Sequence, residues 1–280
     1  MAISNFIPEI WTSGIVEILK KKLVAEAVTN RQYDGEVAAN GNVVHIIGAG
    51  SVADNAYPAS SNITYSAVSD TTSDLNINLN RYCAFEAPDL DVAQSKVAFV
   101  EMTTRDCAYQ IADYFDTQVL AEYANASLDS YKTGSTAWQF LITCSDFPRL
   151  PAAIVRQLEA ANAPAGQPYM VLPPEGREAA LRYLGPRASN LGDQVMTNGF
   201  IGNLMGVNMY TSNNLDSGHG LAGIEGDGIA LAYQVNMMEA LRLEGRISDG
   251  VRMLVNGGIK TYRPAIQIDI NLDTTLIATS

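Results

Sequence analysis

No glycine or proline interrupts the chain from Asp89 to Thr133. Both residue types weaken or break helices, so their absence over so long a run permits one uninterrupted helix. Within the run, Val97, Val100, Thr104, Cys107, Ala108, Ile111, Phe115, Val119 and Tyr123 recur three and four residues apart. That spacing marks one face of a helix. Asp91 and Gln94 stand at capping-box spacing at its start. The expectation is a helix from about Asp91 to Ala126, about 50 Å long at 1.5 Å per residue. It is roughly threefold longer than an average helix and lacks the sustained heptads of a coiled coil. It is expected to be a spine laid across one flat body.

The segment before this helix has the opposite character. From Gly48 to Asp74 the chain is rich in Ser, Asn, Asp, Ala and Thr, with apolar residues only at intervals. A structureless loop of that length is unusual inside a compact domain. Upstream, Asn40-Gly41 is a strong hairpin signal between strands within residues 34 to 47. Downstream, Leu75, Ile77 and Leu79 alternate with Asn76, Asn78 and Asn80, the period of a strand. Residues 34–86 therefore read as a long two-stranded arm. An isolated hairpin is marginal in water, so such an arm needs a surface to lie on.

The remaining elements are ordinary. Residues 7–30 read as an entry segment followed by a helix, with Lys20 and Lys21 on its wet side. These lysines suit a solvated face or a neighbour's acidic surface better than phosphate. Helices are expected over Leu150–Ala161, closed by Pro164 and Gly166, and over Gly176–Leu184. Strands are expected at Tyr169–Leu172, Val207–Thr211 and Ile229–Val235, and within Met253–Ile270. The fold class is α+β.

Composition narrows the function. At 280 residues with 47% hydrophobic content, the chain can bury a sizeable core. No apolar run is long enough for a membrane span, and no secretory signal opens the sequence. A formal net charge of −12 disfavours bulk binding to nucleic acid, though it suits a container wall that must not grip its contents. The three cysteines, Cys83, Cys107 and Cys144, are widely spaced. They read as small buried hydrophobes in a reducing cytosol in preference to a disulfide or a zinc site.

Chemistry-bearing motifs are weak. Gly48-Ala49-Gly50-Ser51-Val52-Ala53 after an apolar strand matches a dinucleotide fingerprint. That motif needs a helix to begin at its second glycine. Asp54 through Ser61 carries Pro58 and no helical period, so a glycine turn is expected in its place. Asp113 and Asp116, at i and i+3, read as a wet helix face before a metal site. Only two histidines occur, His45 and His219, which leaves little room for a catalytic triad. No catalytic, cofactor-binding or metal-binding residues are assigned, and no cofactor is expected.

Several segments, in this order, resemble the major capsid proteins of tailed bacteriophages with the Hong Kong 97-type fold. Phe6 to Trp11 running into Ile15–Lys21 is similar to that family's N-terminal arm. Asn30-Arg31, Tyr33 to Glu36 and Val43 to Ile46 resemble its entry into the extended loop. Asp89 to Asp116, with Ala112-Asp113 and Asp116, resembles its spine helix. Gly206 to Leu215 resembles a strand and turn late in its axial domain, and Gly257 to Ala265 its closing strand.

The resemblance implies an N-terminal arm (1–33), an extended β-hairpin loop (34–86) and a peripheral domain with the spine helix (87–147). An axial domain (148–244) and a return to the peripheral domain (245–280) complete it. It implies a non-enzymatic subunit that assembles with itself as hexamers and pentamers into an icosahedral head around double-stranded DNA, held without sequence-specific contacts. The implied partners are a scaffolding protein, a portal and decoration proteins, with no membrane. The implied location is the virion capsid, with assembly in the host cytoplasm. Trp11, Lys20, Lys21, Tyr57, Tyr65 and Arg81 are the candidate subunit-interface residues. Some family members cross-link subunits through a loop lysine; none lies between Leu23 and Ser95 here, so no such bond is expected. The arm begins almost at Met1, which favours a separate scaffold over a built-in one. The alternatives are an encapsulin-type nanocompartment shell and, more remotely, a dinucleotide-binding oxidoreductase.

Overall fold

The computed structural model describes residues 23–34, 43–49, 54, 65, 70–88, 99–129, 147, 149–184, 202–216, 218–243, 245 and 247–271. The described chain opens with a one-turn helix, α1 (Ala25–Val28), followed by strands β1 (Val43–Ala49), β2 (Asp70–Asn76) and β3 (Leu79–Pro88). The long helix α2 (Phe99–Ala121) comes next and tightens into a 3-10 turn over Glu122–Asn125. A short β4 (Leu128–Asp129) precedes α3 (Arg149–Ala160), β5 (Pro168–Leu172) and α4 (Pro174–Leu184). The chain closes with β6 (Asn203–Leu204), β7 (Val207–Thr211), β8 (His219–Ile224), β9 (Ile229–Arg242), β10 (Ser248–Thr261) and β11 (Ile268–Asn271).

These strands form a two-stranded ribbon β1-β2, a three-stranded sheet β3-β10-β9, and a six-stranded sheet β4-β11-β8-β5-β7-β6. The mixture of helices and sheets bears out the α+β expectation. In the ribbon, Val44 and Ile46 with Leu75 turn one face onto Ala230 and Ala232 of β9. The other face carries an exposed cross-strand pair, His45 Nδ1 to Asp74 Oδ1 at 2.7 Å.

The six-stranded sheet is covered on both faces. Met170 and Leu172 of β5 join α3 and α4 in one core, through Leu150, Ile154, Ala179 and Ala180. The alternate residues, Tyr169 and Val171, join α1 and α2 in a second core with Phe115, Val119, Leu231 and Val255. A strand buried on both faces reads as a continuous apolar run, which is the pattern Tyr169 to Leu172 shows. On α2, Cys107, Ile111, Phe115 and Val119 are buried as their spacing requires, while Ala108 is exposed.

Local chemistry explains the boundaries. Helix α3 ends with Asn162 in the left-handed region at φ 52°. Ala163 N–H then donates to Leu158 O at 3.0 Å and Asn162 N–H to Glu159 O at 3.1 Å, a Schellman motif. The helix is therefore closed before Pro164 and Gly166 are reached. Between β6 and β7, Met205 and Gly206 have φ of 52° and 82°, the two positive values a tight hairpin demands.

The structure changes several expectations. The described partner of β1 is β2, in register from Val43–Asn76 to Ala49–Asp70. The Asn40-Gly41 turn lies outside the described residues, and Asp34 is helical, not extended. Leu79 to Pro88 pairs with β10 in the three-stranded sheet. Strand β9 runs seven residues past Val235, to Arg242, because a register shift between Leu254 and Val255 of β10 lets it continue. Residues 91–98 of the expected spine helix, with the capping-box pair Asp91 and Gln94, lie outside the described residues.

Candidate assembly junction

Asp116 lies on the buried side of α2 and is 1% exposed, so the expected wet face at Asp113 and Asp116 is corrected. Its Oδ1 accepts hydrogen bonds from the backbone N–H groups of Val24 and Ala25, both at 2.7 Å. Its Oδ2 accepts from Asn214 Nδ2 at 2.8 Å and Ser212 Oγ at 3.4 Å. Asn214 Nδ2 also donates to Asp113 Oδ1 at 2.8 Å, and Asn214 N–H donates to Ser212 Oγ at 3.1 Å. A buried carboxylate is tolerated only when its lone pairs are filled, and here four donors fill them. The charge is spent on joining three separate parts of the chain: the entry to α1, the helix α2, and the turn after β7.

A second set of contacts fixes the far end of the helix. Glu122 Oε2 accepts from Thr261 Oγ1 at 2.6 Å and Thr261 N–H at 3.2 Å. Tyr123 stacks on His219 with ring centroids 4.3 Å apart and donates its hydroxyl to Asp216 Oδ2 at 2.8 Å. That hydrogen bond, then partial burial, pushes the Tyr123 hydroxyl above its ordinary pKa. His219 in turn pairs with Asp269 Oδ1 at 3.2 Å. The helix is thus tied to both the three-stranded and the six-stranded sheets.

A third set gathers the chain after α1. Asn30 bridges Ala230 and donates through Nδ2 to the Tyr262 hydroxyl at 3.3 Å. Tyr262 donates to Asp227 Oδ1, and burial followed by this bond raises its pKa. Arg31 pairs with Glu26 at 3.0 Å and Asp34 at 2.8 Å, and Asp34 Oδ1 accepts from Tyr233 N–H at 3.2 Å.

Two adjacent glycines permit the close approaches. A Cβ on Gly257 would stand 2.7 Å from the Phe115 ring, and one on Gly258 would stand 2.3 Å from the Asn76 carbonyl oxygen. Ala112–Asp116, Ser212–Leu215 and Gly257–Arg263 thus meet at α2, and Asn30–Asp34 joins them through Tyr233 and Tyr262.

Of the candidate interface residues, Tyr65 is 93% exposed. The guanidinium of Arg81 lies 3.6 Å from the ring centroid of Tyr114, a cation–π contact within the chain. Trp11, Lys20, Lys21 and Tyr57 lie outside the described residues.

Gly48 and Ala49 still pair with Thr71 and Asp70 inside β1. The backbone is therefore extended where a dinucleotide motif needs its turn. Among the described residues no group of three or more His, Cys, Asp or Glu is arranged to hold a metal ion. No described helix is long and apolar enough to cross a membrane. Cys83 and Cys107 form a disulfide with Cα atoms 5.7 Å apart. This corrects the reading of both as free thiols: sequence spacing could not show that β3 and α2 pack face to face.

No family model matches the chain, and no curated protein matches it. Solved structures do. The chain is similar to a structure from Mycobacterium phage Che8 at 28% identity and a TM-score of 0.79, over 96% of this chain and 98% of that one. It is similar to the capsid structure of cyanophage P-SCSP1u at 14% identity and a TM-score of 0.75, over 98% and 95%. A virus-like particle from Pyrococcus furiosus aligns at 11% identity and a TM-score of 0.54, over 89% and 92%.

Proposed function

We propose that this chain is the major capsid protein of a tailed double-stranded DNA phage, copied as hexamers and pentamers into an icosahedral head. Its fold is that of phage capsid subunits, and the expectation of a tailed-phage capsid protein is borne out. The observation that carries the proposal is likeness over nearly the full length of both chains, at 28% identity. Of the segments that resemble the family, Ala112–Asp116, Ser212–Leu215 and Gly257–Arg263 also meet at α2. The nanocompartment alternative is less favoured, since the virus-like particle aligns less closely and over less of the chain than the phage structures do.

The mechanism is assembly. A subunit repeated in slightly different surroundings needs a rigid body and adaptable extensions. The junctions around α2 make the rigid body, into which α1 and β3 are packed, and the remaining parts of residues 1–33 and 34–86 are the extensions. Residues 87–147 and 245–280 form the peripheral domain and 148–244 the axial domain. Trp11, Lys20, Lys21, Tyr57, Tyr65 and Arg81 are the proposed interface residues. Many weak contacts per subunit act together, so no single one needs high affinity. The partners of this reading are further copies of the chain, a scaffolding protein, a portal and decoration proteins, with assembly in the host cytoplasm.

Negative-stain images of the chain, purified alone and after co-expression with a scaffolding protein, test the reading. Uniform hollow shells support it, and a monomer under all conditions overturns it. Nucleic acid in particles from infected cells, read as an absorbance ratio, separates a genome container from an enzyme container. Uniform shells from the chain expressed alone would remove the scaffolding protein from the scheme. Covalent ladders on denaturing gels would overturn the expected absence of a lysine cross-link.

A further inference from the structure

Strand β3 and helix α2 are joined by the Cys83–Cys107 bond across 24 residues of sequence. Cys107 is 8% exposed and faces inward from the helix. Cys83 is half-buried, stands opposite Met253 of β10 and lies, as Tyr114 does, at the margin of the second core. Two residues earlier on β3, Arg81 covers the Tyr114 ring. Helix and strand are therefore joined at this point by a contact other than the sulfur–sulfur bond. A chain that folds in a reducing cytosol carries such cysteines as thiols.

We propose that the Cys83–Cys107 disulfide is a modification made after assembly, when the particle leaves the reducing cytosol; this timing rests on the capsid reading above. The oxidant is a low-molecular-weight disulfide. The more accessible Cys83 loses its proton to solvent and attacks one sulfur of the oxidant, whose S–S bond breaks and releases one thiolate. Cys107, also deprotonated, then attacks Sγ of Cys83 in the mixed disulfide. The second thiolate leaves, and both thiolates take up protons. The two cysteines are oxidised by two electrons in all, and the small disulfide is reduced to two thiols. The product fastens the long helix to the edge of the three-stranded sheet. A disulfide restricts the unfolded chain and so favours the folded one.

The test uses assembled particles of the full chain, denatured at lysis in the presence of N-ethylmaleimide and counted by intact mass. All three cysteines are expected to be labelled at lysis. After incubation of unlabelled particles with oxidised glutathione, one label is expected, at Cys144, with a Cys83–Cys107 peptide in the non-reducing map. The oxidised particles should melt roughly 5 °C or more above the reduced ones and lose that gain in dithiothreitol. The Cys83→Ser/Cys107→Ser variant should show neither shift; should it fail to fold, the wild-type cycle of oxidation and reduction gives the same answer. A bond already complete at lysis overturns the timing, and three labels after oxidation overturn the bond. Shell formation is scored separately by electron microscopy, so failure of the capsid reading appears there and not in the thiol count.

Discussion

Replacing Asp116 by alanine would leave the Val24 and Ala25 backbone N–H groups without their acceptor at a buried site, and would leave Asn214 Nδ2 with Asp113 Oδ1 alone. Each orphaned donor costs about 1–3 kcal/mol. Relaxation and water entry recover part of the sum, so Asp116→Ala is expected to destabilise the chain by about 3–5 kcal/mol. Asp113 is half-buried, and its loss should cost about 1 kcal/mol or less. Urea unfolding of the two variants checks the order, and equal losses would show that Asp116 does not hold the junction. Gly258→Ala makes a second test at this scale. Its methyl would meet backbone at Asn76, which cannot swing aside as a side chain can, so a loss of about 2 kcal/mol or more is expected. The Asp116 junction was not legible in the sequence. Helical spacing reports only which residues share a face. The donors to Asp116 come from residues some 90 positions away or more in both directions, and nothing in its own segment announces them.

At the scale of elements, the ribbon β1-β2 depends on one small core. Leu75 is fully buried against Val44, Ile46 and the alanines of β9. Leu75→Ala is expected to cost about 2–4 kcal/mol. The loss should fall first on the ribbon, because the cores on the two faces of the six-stranded sheet do not include Leu75. Native-state hydrogen exchange should show Val43–Ala49 amides losing protection while those of β5 and β8 keep theirs; uniform loss would mean that ribbon and body unfold as one unit. The elements themselves were largely readable. The helices at Leu150 and Gly176, the strand Val207–Thr211 and the inner face of α2 follow from local spacing. What was not readable was long-range or out of phase. The hairpin expected at Asn40-Gly41 lies outside the described residues, and the partner described for β1 is β2, from across a long polar segment. The reading of β9 stopped at Val235, where the register shift moves the side-chain alternation by one residue and a strict period-two pattern ends.

For the whole molecule, fold class was legible because ordered resemblances span nearly the entire chain, while charge carries a prediction that no single segment does. Each copy bears a formal net charge of −12, so bringing copies together is opposed by long-range repulsion. Lys20 and Lys21 oppose that trend if they meet an acidic surface on the next copy. The two effects respond to salt with opposite signs, since added ions screen repulsion and attraction alike. Raising sodium chloride from roughly 20 mM to roughly 200 mM shortens the screening length from about 20 Å to about 7 Å. Repulsion summed over whole subunits acts across that range, whereas a close ion pair is screened less. Assembly followed by light scattering is therefore expected to begin at a lower subunit concentration in the higher salt. Lys20→Ala/Lys21→Ala removes two positive charges from each copy and should need still more salt to reach the same threshold. A threshold that rises with salt would mean that attraction through the lysines governs association and that the acidic surface is not the barrier.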